Sequence, residues 1–226
     1  MRRRALCIAI LQLVDALAAT ACLTARSPSP RSFTIDAPQP KDPSTAGGLI
    51  VAVARVEVAP EYSGEALVYQ TSDHELVRDP YARFAALPSS MLATAIRGYL
   101  ANADFIGDVV SPASELPPQV TVETSAVKLA GVLRSTESSS LLTIRFRVLR
   151  NGKGPAPPTE LFLKTYSATS NNPRATSRAV VDGWNRALAE IMGNFESDLR
   201  TSLVAAGLLS GGPQPTPQAN RTPKGE

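Results

Sequence analysis

The chain has 226 residues, 43% of them apolar, 5% aromatic and 19% charged. Arg2, Arg3, Arg4 and Asp15 fall in a leader expected to be removed on export, so the formal net charge of +3 drops to about +1; this gives little support for nucleic-acid binding, which needs a clustered basic face, and no nucleic-acid partner is expected. The only cysteines are Cys7, inside the leader, and Cys22, at its end, so no internal disulfide is expected and about 160 residues of domain must be held by their own core.

Met1 to Ala21 reads as an export signal. Three arginines form its charged start, and Ala5 to Val14 supplies an apolar stretch too short for a membrane span. Cys22 follows Ala19-Thr20-Ala21, the small residues that a lipoprotein signal peptidase accommodates before a cysteine whose thiol is diacylated. Cys22 is therefore the expected site of lipid attachment, palmitate among the acyl chains, and the expected mature N-terminus. The alternative is an ordinary secretory signal cut near Ala21, which leaves Cys22 free. Leu23 rather than Asp follows, so an inner-membrane retention signal of the Asp kind is missing and the outer membrane is favoured, with the domain on the periplasmic face.

Residues 22–48 are rich in Pro, Ser, Thr and Ala, cannot bury enough surface to offset ordering entropy, and read as a flexible tether. Residues 49–209 read as one domain, and 210–226, SGGPQPTPQANRTPKGE, as a disordered tail.

In the domain, LIVAVARVEV over 49–58 is a central strand whose alternation puts Ile50, Ala52, Ala54, Val56 and Val58 on one face and Leu49, Val51, Val53, Arg55 and Glu57 on the other. A polar hairpin follows around 71–75. A helix is predicted from Ser89 to Ala101, with Met91, Leu92, Ala95, Ile96, Tyr99 and Leu100 on one stripe and Ser89 or Ser90 as cap. After a short strand at 108–110, two long arms at 120–134 and 141–150 flank a turn read in STESSS, and 160–168 returns as a further strand. The last helix is predicted to begin near Asn172-Pro173 and to carry Val181, Trp184, Leu188, Ile191, Phe195 and Leu199 as an apolar stripe, with Trp184 a core anchor. These elements predict an α+β fold, a two-layer sandwich of a mixed, mostly antiparallel sheet with two helices on one face and a partly polar face on the other.

Catalytic chemistry is poorly supplied. The only histidine, His74, stands in Thr71-Ser72-Asp73-His74-Glu75, where strand neighbours point to opposite faces and cannot converge on a metal. No nucleophile elbow, phosphate loop or dinucleotide fingerprint occurs, so no cofactor and no enzyme activity are expected. Arg145 and Arg147 on the wet side of their strand are candidates for contact with phosphates or an acidic partner, and a merely solvated pair is the alternative.

Pro60-Glu61-Tyr62 after the first strand, Leu67-Val68-Tyr69, the step Tyr81, Arg83, Phe84, and the helical pair Met91, Leu92 together resemble the ABC-type transport auxiliary lipoproteins, a likeness that extends more faintly from Leu49 to Leu203. Phe84 stands where many members have Trp, and Gln70 where a basic residue often follows the tyrosine. The resemblance implies a non-enzymatic, lipid-anchored accessory subunit that joins an ABC permease and ATPase complex through a mammalian-cell-entry (MCE) domain protein. Such systems move phospholipid or other hydrophobic molecules across the envelope. Homo-oligomers fit the same reading. Tyr69, Tyr81, Arg83 and Phe84 are the candidate partner contacts, the alternative being that these aromatics pin a crossover onto the sheet. A structural or assembly lipoprotein of another envelope machine, pilotin-like or a synthase activator, would share anchor, tether and domain.

Overall fold

The computed structural model describes residues 29–36, 48–111, 113–152, 154 and 156–210. Cys22, the leader, most of the tether and the tail beyond Ser210 lie outside the described residues. The chain divides into two units at Arg31, and the second, from Ser32 onward, holds the sheet and its helices.

The strand at 49–58 becomes β2 (Leu49–Val58), which runs parallel to β5 (Ile106–Val110) on one side and to β6 (Val120–Leu133) on the other. Burial between neighbours is why it reads as an almost continuous apolar run. Its register with β6 slips between Val53 and Val56, so Val51, Val53 and Val56 are all buried while Arg55 and Glu57 are exposed. The strict alternation expected from the sequence is broken there, because a bulge adds a residue and inverts the phase of the rest of the strand.

β6 is the long axis of the sheet. Its first half pairs with β2, its second half meets β3 (Ala66–Ser72) at Tyr69 and Gly131, and its other edge is covered along its whole length by β7 (Ser138–Arg150). A Cβ at Gly131 would fall 2.7 Å from Val180 and 2.8 Å from the Tyr69 ring, so only glycine lets both side chains close over the strand. β7 pairs antiparallel with β8 (Thr159–Asn172), and β3 with β4 (Glu75–Phe84). Ser32 and Phe33, from the short strand β1 (Arg31–Phe33), lie beside the end of β4, where the Ala85 amide donates to the Phe33 carbonyl at 2.8 Å. The result is the expected α+β architecture: a mixed sheet of eight strands with two helices on one side.

Helix α1 (Pro88–Ala101) packs on β2 and β5, and α2 (Ser177–Ala205) on β7 and β8. Trp184 is fully buried, as its place on the stripe predicts; its indole N–H donates to the Ala130 carbonyl at 3.2 Å and its ring lies 5.5 Å from that of Phe84. Farther along α2, Phe195 stacks on Phe146 of β7 at 4.1 Å. Arg200 joins the carboxylate of Asp104 and sits 4.4 Å from the Phe105 ring, tying the end of α2 to the turn after α1.

Three boundaries differ from the sequence expectation. The tether gives up Ser32–Asp36 to the fold: Ile35 is buried in the core and the Asp36 amide donates to the Asn185 side chain at 3.2 Å. Helix α1 starts on Pro88 at its first turn with Leu87 in the cap position and no side-chain cap, so neither Ser89 nor Ser90 plays that role. Helix α2 begins at Ser177, not at Asn172-Pro173, and Thr176 caps it by accepting from the Ala179 amide at 3.2 Å.

Asn172 instead ends β8 inside a buried polar cluster. Its side-chain amide donates to the hydroxyls of Ser138 and Ser140, at 3.2 and 3.1 Å, and its carbonyl accepts from Arg186. Ser140 donates to the Val180 carbonyl at 2.7 Å. Ser138 and Ser140, read as turn residues, are thus strand residues that fasten α2, and a satisfied cluster of this kind is costly to disrupt. Gly183 provides the room, since a Cβ there would come within 2.2 Å of the Ser140 hydroxyl.

At the other end of α2, Asp198 accepts from Lys164 and from the Tyr166 hydroxyl, both at 2.6 Å, and the Lys164 hydrogen bond is the larger cause that holds its carboxyl below the usual range. Burial and then the Asp198 carboxylate push the Tyr166 phenol well above its ordinary value.

Urea unfolding reads the contribution of each of these contacts. Phe84→Ala, which strips a buried ring from Trp184, lowers stability by about 3–5 kcal/mol. Gly183→Ala, which overpacks the Ser140 cluster, costs about 1–3 kcal/mol. Because the folded carboxyl of Asp198 is depressed, its contribution is present above the unfolded carboxylate value near ~3.9 and lost as pH falls through the folded value; Asp198→Asn therefore lowers stability at neutral pH and flattens the acid limb of the stability profile.

Candidate partner-binding surface

The four residues singled out in the sequence divide by burial. Tyr69 and Phe84 are in the core, whereas Tyr81 and Arg83 are exposed. Strand alternation accounts for the end of β4, where Ala82 and Phe84 point inward and Arg83 outward. Two of the four thus pin β3 and β4 to the helical layer, which is the packing role weighed against partner contact.

Tyr81 owes its position to an irregular stretch of β4. Arg78 pairs with Val68 and Arg83 with Ala66, so five positions on β4 span two on β3 and residues 79–82 bow out of the ladder. Asp79 holds the bow. One of its carboxylate oxygens accepts from the amides of Tyr81 and Ala82 at 2.8 and 2.9 Å; the other accepts from the Tyr69 hydroxyl and the Ser177 hydroxyl, each at 3.1 Å. Tyr81 is then presented 50% exposed on a bend fixed by four hydrogen bonds. Burial, with a smaller effect of the nearby Asp79 charge, pushes the Tyr69 phenol up to about 12, so it remains a donor to that carboxylate at neutral pH.

Beyond the bow, β3 and β4 continue as a two-stranded hairpin to a turn at Asp73 and His74. Leu76 and Val77 are 39% and 44% exposed, and as strand neighbours they point to opposite faces. A hairpin wet on both faces has little core of its own, and exposed aliphatic and aromatic groups on it suit a protein contact. Sequence reading missed Leu76 and Val77 by treating the hairpin as polar. Adjacent apolar residues in a two-sided strand were the available signal, since both cannot face one core.

The basic groups are more constrained than their exposure suggests. Arg83 donates to the Ser32 hydroxyl at 3.5 Å, and Arg78 to the Glu61 carbonyl at 3.3 Å. Arg147 is paired with Glu123 at 3.4 Å and Glu160 at 3.1 Å across three strands, which leaves it little charge for an acidic partner. Among the described residues Arg145 makes a single 3.4 Å contact, to the Thr165 hydroxyl. His74 is exposed at the hairpin turn, and no group of three metal-ligating side chains forms among the described residues.

Known proteins share this architecture. Residues 33–193 match the family model described as the ABC-type transport auxiliary lipoprotein component. No curated protein matches the sequence. A crystal structure of a protein from Xanthomonas campestris superposes with a TM-score of 0.62 at 12% identity, covering 80% of this chain and 98% of that one. The crystal structure of an uncharacterized protein gives 0.60 at 13% identity, covering 76% and 99%. At these identities the likeness concerns the fold alone. The family match covers most of the chain and begins at Phe33, on the strand that the tether contributes: the chain belongs to the family of ABC-type transport auxiliary lipoproteins.

Proposed function

We propose that this protein is the lipid-anchored, non-enzymatic auxiliary subunit of an ABC transporter whose substrate-handling partner is an MCE-domain protein, and that the transporter moves phospholipid or a related hydrophobic molecule across the envelope. Acyl chains on Cys22 hold it to the outer membrane, the segment after Cys22 sets its reach on the periplasmic side, and the domain grips the complex. Family membership supports the transport role. The observation that carries the attachment role is the hairpin arm: Leu76, Val77 and Tyr81 are solvent-exposed while Asp79 rigidly fixes the bend beside them. Ordered apolar anchors of this kind bind without a large ordering cost. A second copy of the chain using the same arm would give a homo-oligomer.

A mild-detergent pull-down of the full-length lipoprotein, with mass spectrometry of the co-purifying proteins and of its own N-terminal peptide, tests the proposal. The expected result is an MCE-domain protein, permease or ATPase together with an acylated Cys22. Val77→Asp and Tyr81→Ala are expected to reduce that recovery about tenfold or more, as loss of a central anchor does, without lowering the melting temperature. Recovery of secretion or wall-synthesis components would contradict it.

A further inference from the structure

A second surface lies away from the hairpin arm, where two bulges meet the start of α1. The β2 bulge leaves Arg55 outside the ladder, and a register slip in β6 between Ala126 and Lys128 does the same for Val127. Two shallow depressions share Arg55, Val56, Leu87 and Ser89. One, of about 830 Å³, continues to Arg145 and Val127; the other, of about 590 Å³, continues to Arg97. Together they make one groove with three arginines along it and a single carboxylate, Glu57, at one side.

Three observations show what this groove lacks. None of Arg55, Arg97 and Arg145 has a carboxylate within ion-pair distance among the described residues, in contrast to Arg134, Arg147 and Arg200. Among the described residues the Nε of Arg97 is buried with no hydrogen-bond partner, a state that costs free energy until an acceptor arrives. The first turn of α1 carries no acidic residue; Pro88 has no amide hydrogen and the Ser90 and Met91 amides donate to the Leu87 carbonyl, which leaves the Ser89 amide as its donor beside the groove. Apolar surface stands next to these donors: Leu87 is 50% and Val127 40% exposed.

Guanidinium groups and adjacent exposed Leu and Val define a ligand with a compact oxyanion attached to an apolar body. We infer that this groove binds the phosphate head of an anionic phospholipid, with Arg55, which lines both depressions, on the phosphate, Arg145 and Arg97 flanking it from either lobe, and Leu87 and Val127 against the first carbons of the chains. A shallow groove suits a head group held while the chains stay in a membrane or in another protein. The inference deepens the lipid-transport reading but stands on the groove alone, because lipid occupancy and recovery of transporter subunits are measured independently.

The test is native mass spectrometry of the mature lipoprotein released from non-ionic detergent, mixed with dioleoyl phosphatidylglycerol, with dioleoyl phosphatidylcholine, or with phosphatidylglycerol plus excess inorganic phosphate. The expected result is one phosphatidylglycerol adduct, favoured over phosphatidylcholine and retained in phosphate. Arg55→Gln and Arg145→Gln are each expected to weaken it about tenfold, the scale of one charge-assisted hydrogen bond, while Arg147→Gln, outside the groove, leaves it unchanged. Melting curves of the variants confirm that they fold, and Arg97→Gln provides an independent variant on the other lobe. Equal adducts with both lipids, adducts insensitive to all three groove variants, or no adduct would overturn the inference. Displacement by inorganic phosphate would overturn the lipid assignment and leave a site for free phosphate.

Discussion

The contact on which this fold depends most is that of Trp184 with Phe84 and the Ala130 carbonyl. One indole joins three parts of the chain that are far apart in sequence: the long strand β6, the end of β4, and helix α2. Its ring fills the space between helix and sheet, and its buried N–H is satisfied by the Ala130 carbonyl. Gly131, next to Ala130, serves the same junction by leaving room for Tyr69 and Val180. Two of the residues by which this chain resembles its family, Tyr69 and Phe84, stand at this junction. Tyr69, Phe84, Met91 and Leu92 all belong to the core.

That placement separates what is structural from what faces outward. Tyr69 and Phe84 hold β3 and β4 down, and through Asp79 the buried Tyr69 fixes the bend that turns Tyr81 to solvent. Core and surface are linked by one carboxylate with four donors. The open side of the sheet is quieter: Ser139 with Asn171 and Thr143 with Ser167 pair across β7 and β8, and Arg147 is neutralised by two glutamates. Polar groups that satisfy one another make a solvated face, whereas the hairpin arm and the arginine groove keep unsatisfied apolar and cationic groups.

Much of this was legible in the sequence. Leu142, Ile144, Phe146 and Val148 alternate cleanly because β7 has one dry and one wet face, and the stripe through Trp184, Leu188, Ile191 and Phe195 names the buried side of α2. The failures have local causes. A bulge in β2 leaves no compositional mark, so the phase of Arg55 was lost. Ser138, Ser140 and Asn172 have the composition of turns, and only Gly183 and Arg186, from a helix later in the chain, give them a buried role. For the candidate site, Tyr69, Tyr81, Arg83 and Phe84 were legible as one group, and only their burial separates Tyr81 and Arg83, which face outward, from Tyr69 and Phe84. Leu76 and Val77 carried a signal too, an adjacent apolar pair that cannot face one core, but the polar residues at the hairpin tip masked it.

The most direct test of the attachment role is photo-crosslinking in intact cells, with a benzophenone amino acid placed in turn at Val77, at Tyr81 and at Ser167, which is exposed on the open face of the sheet. Adducts to an MCE-domain protein or permease are expected from Val77 and Tyr81, and none from Ser167. Adducts from Ser167 alone, or adducts from Val77 and Tyr81 confined to proteins outside any transport complex, would contradict it.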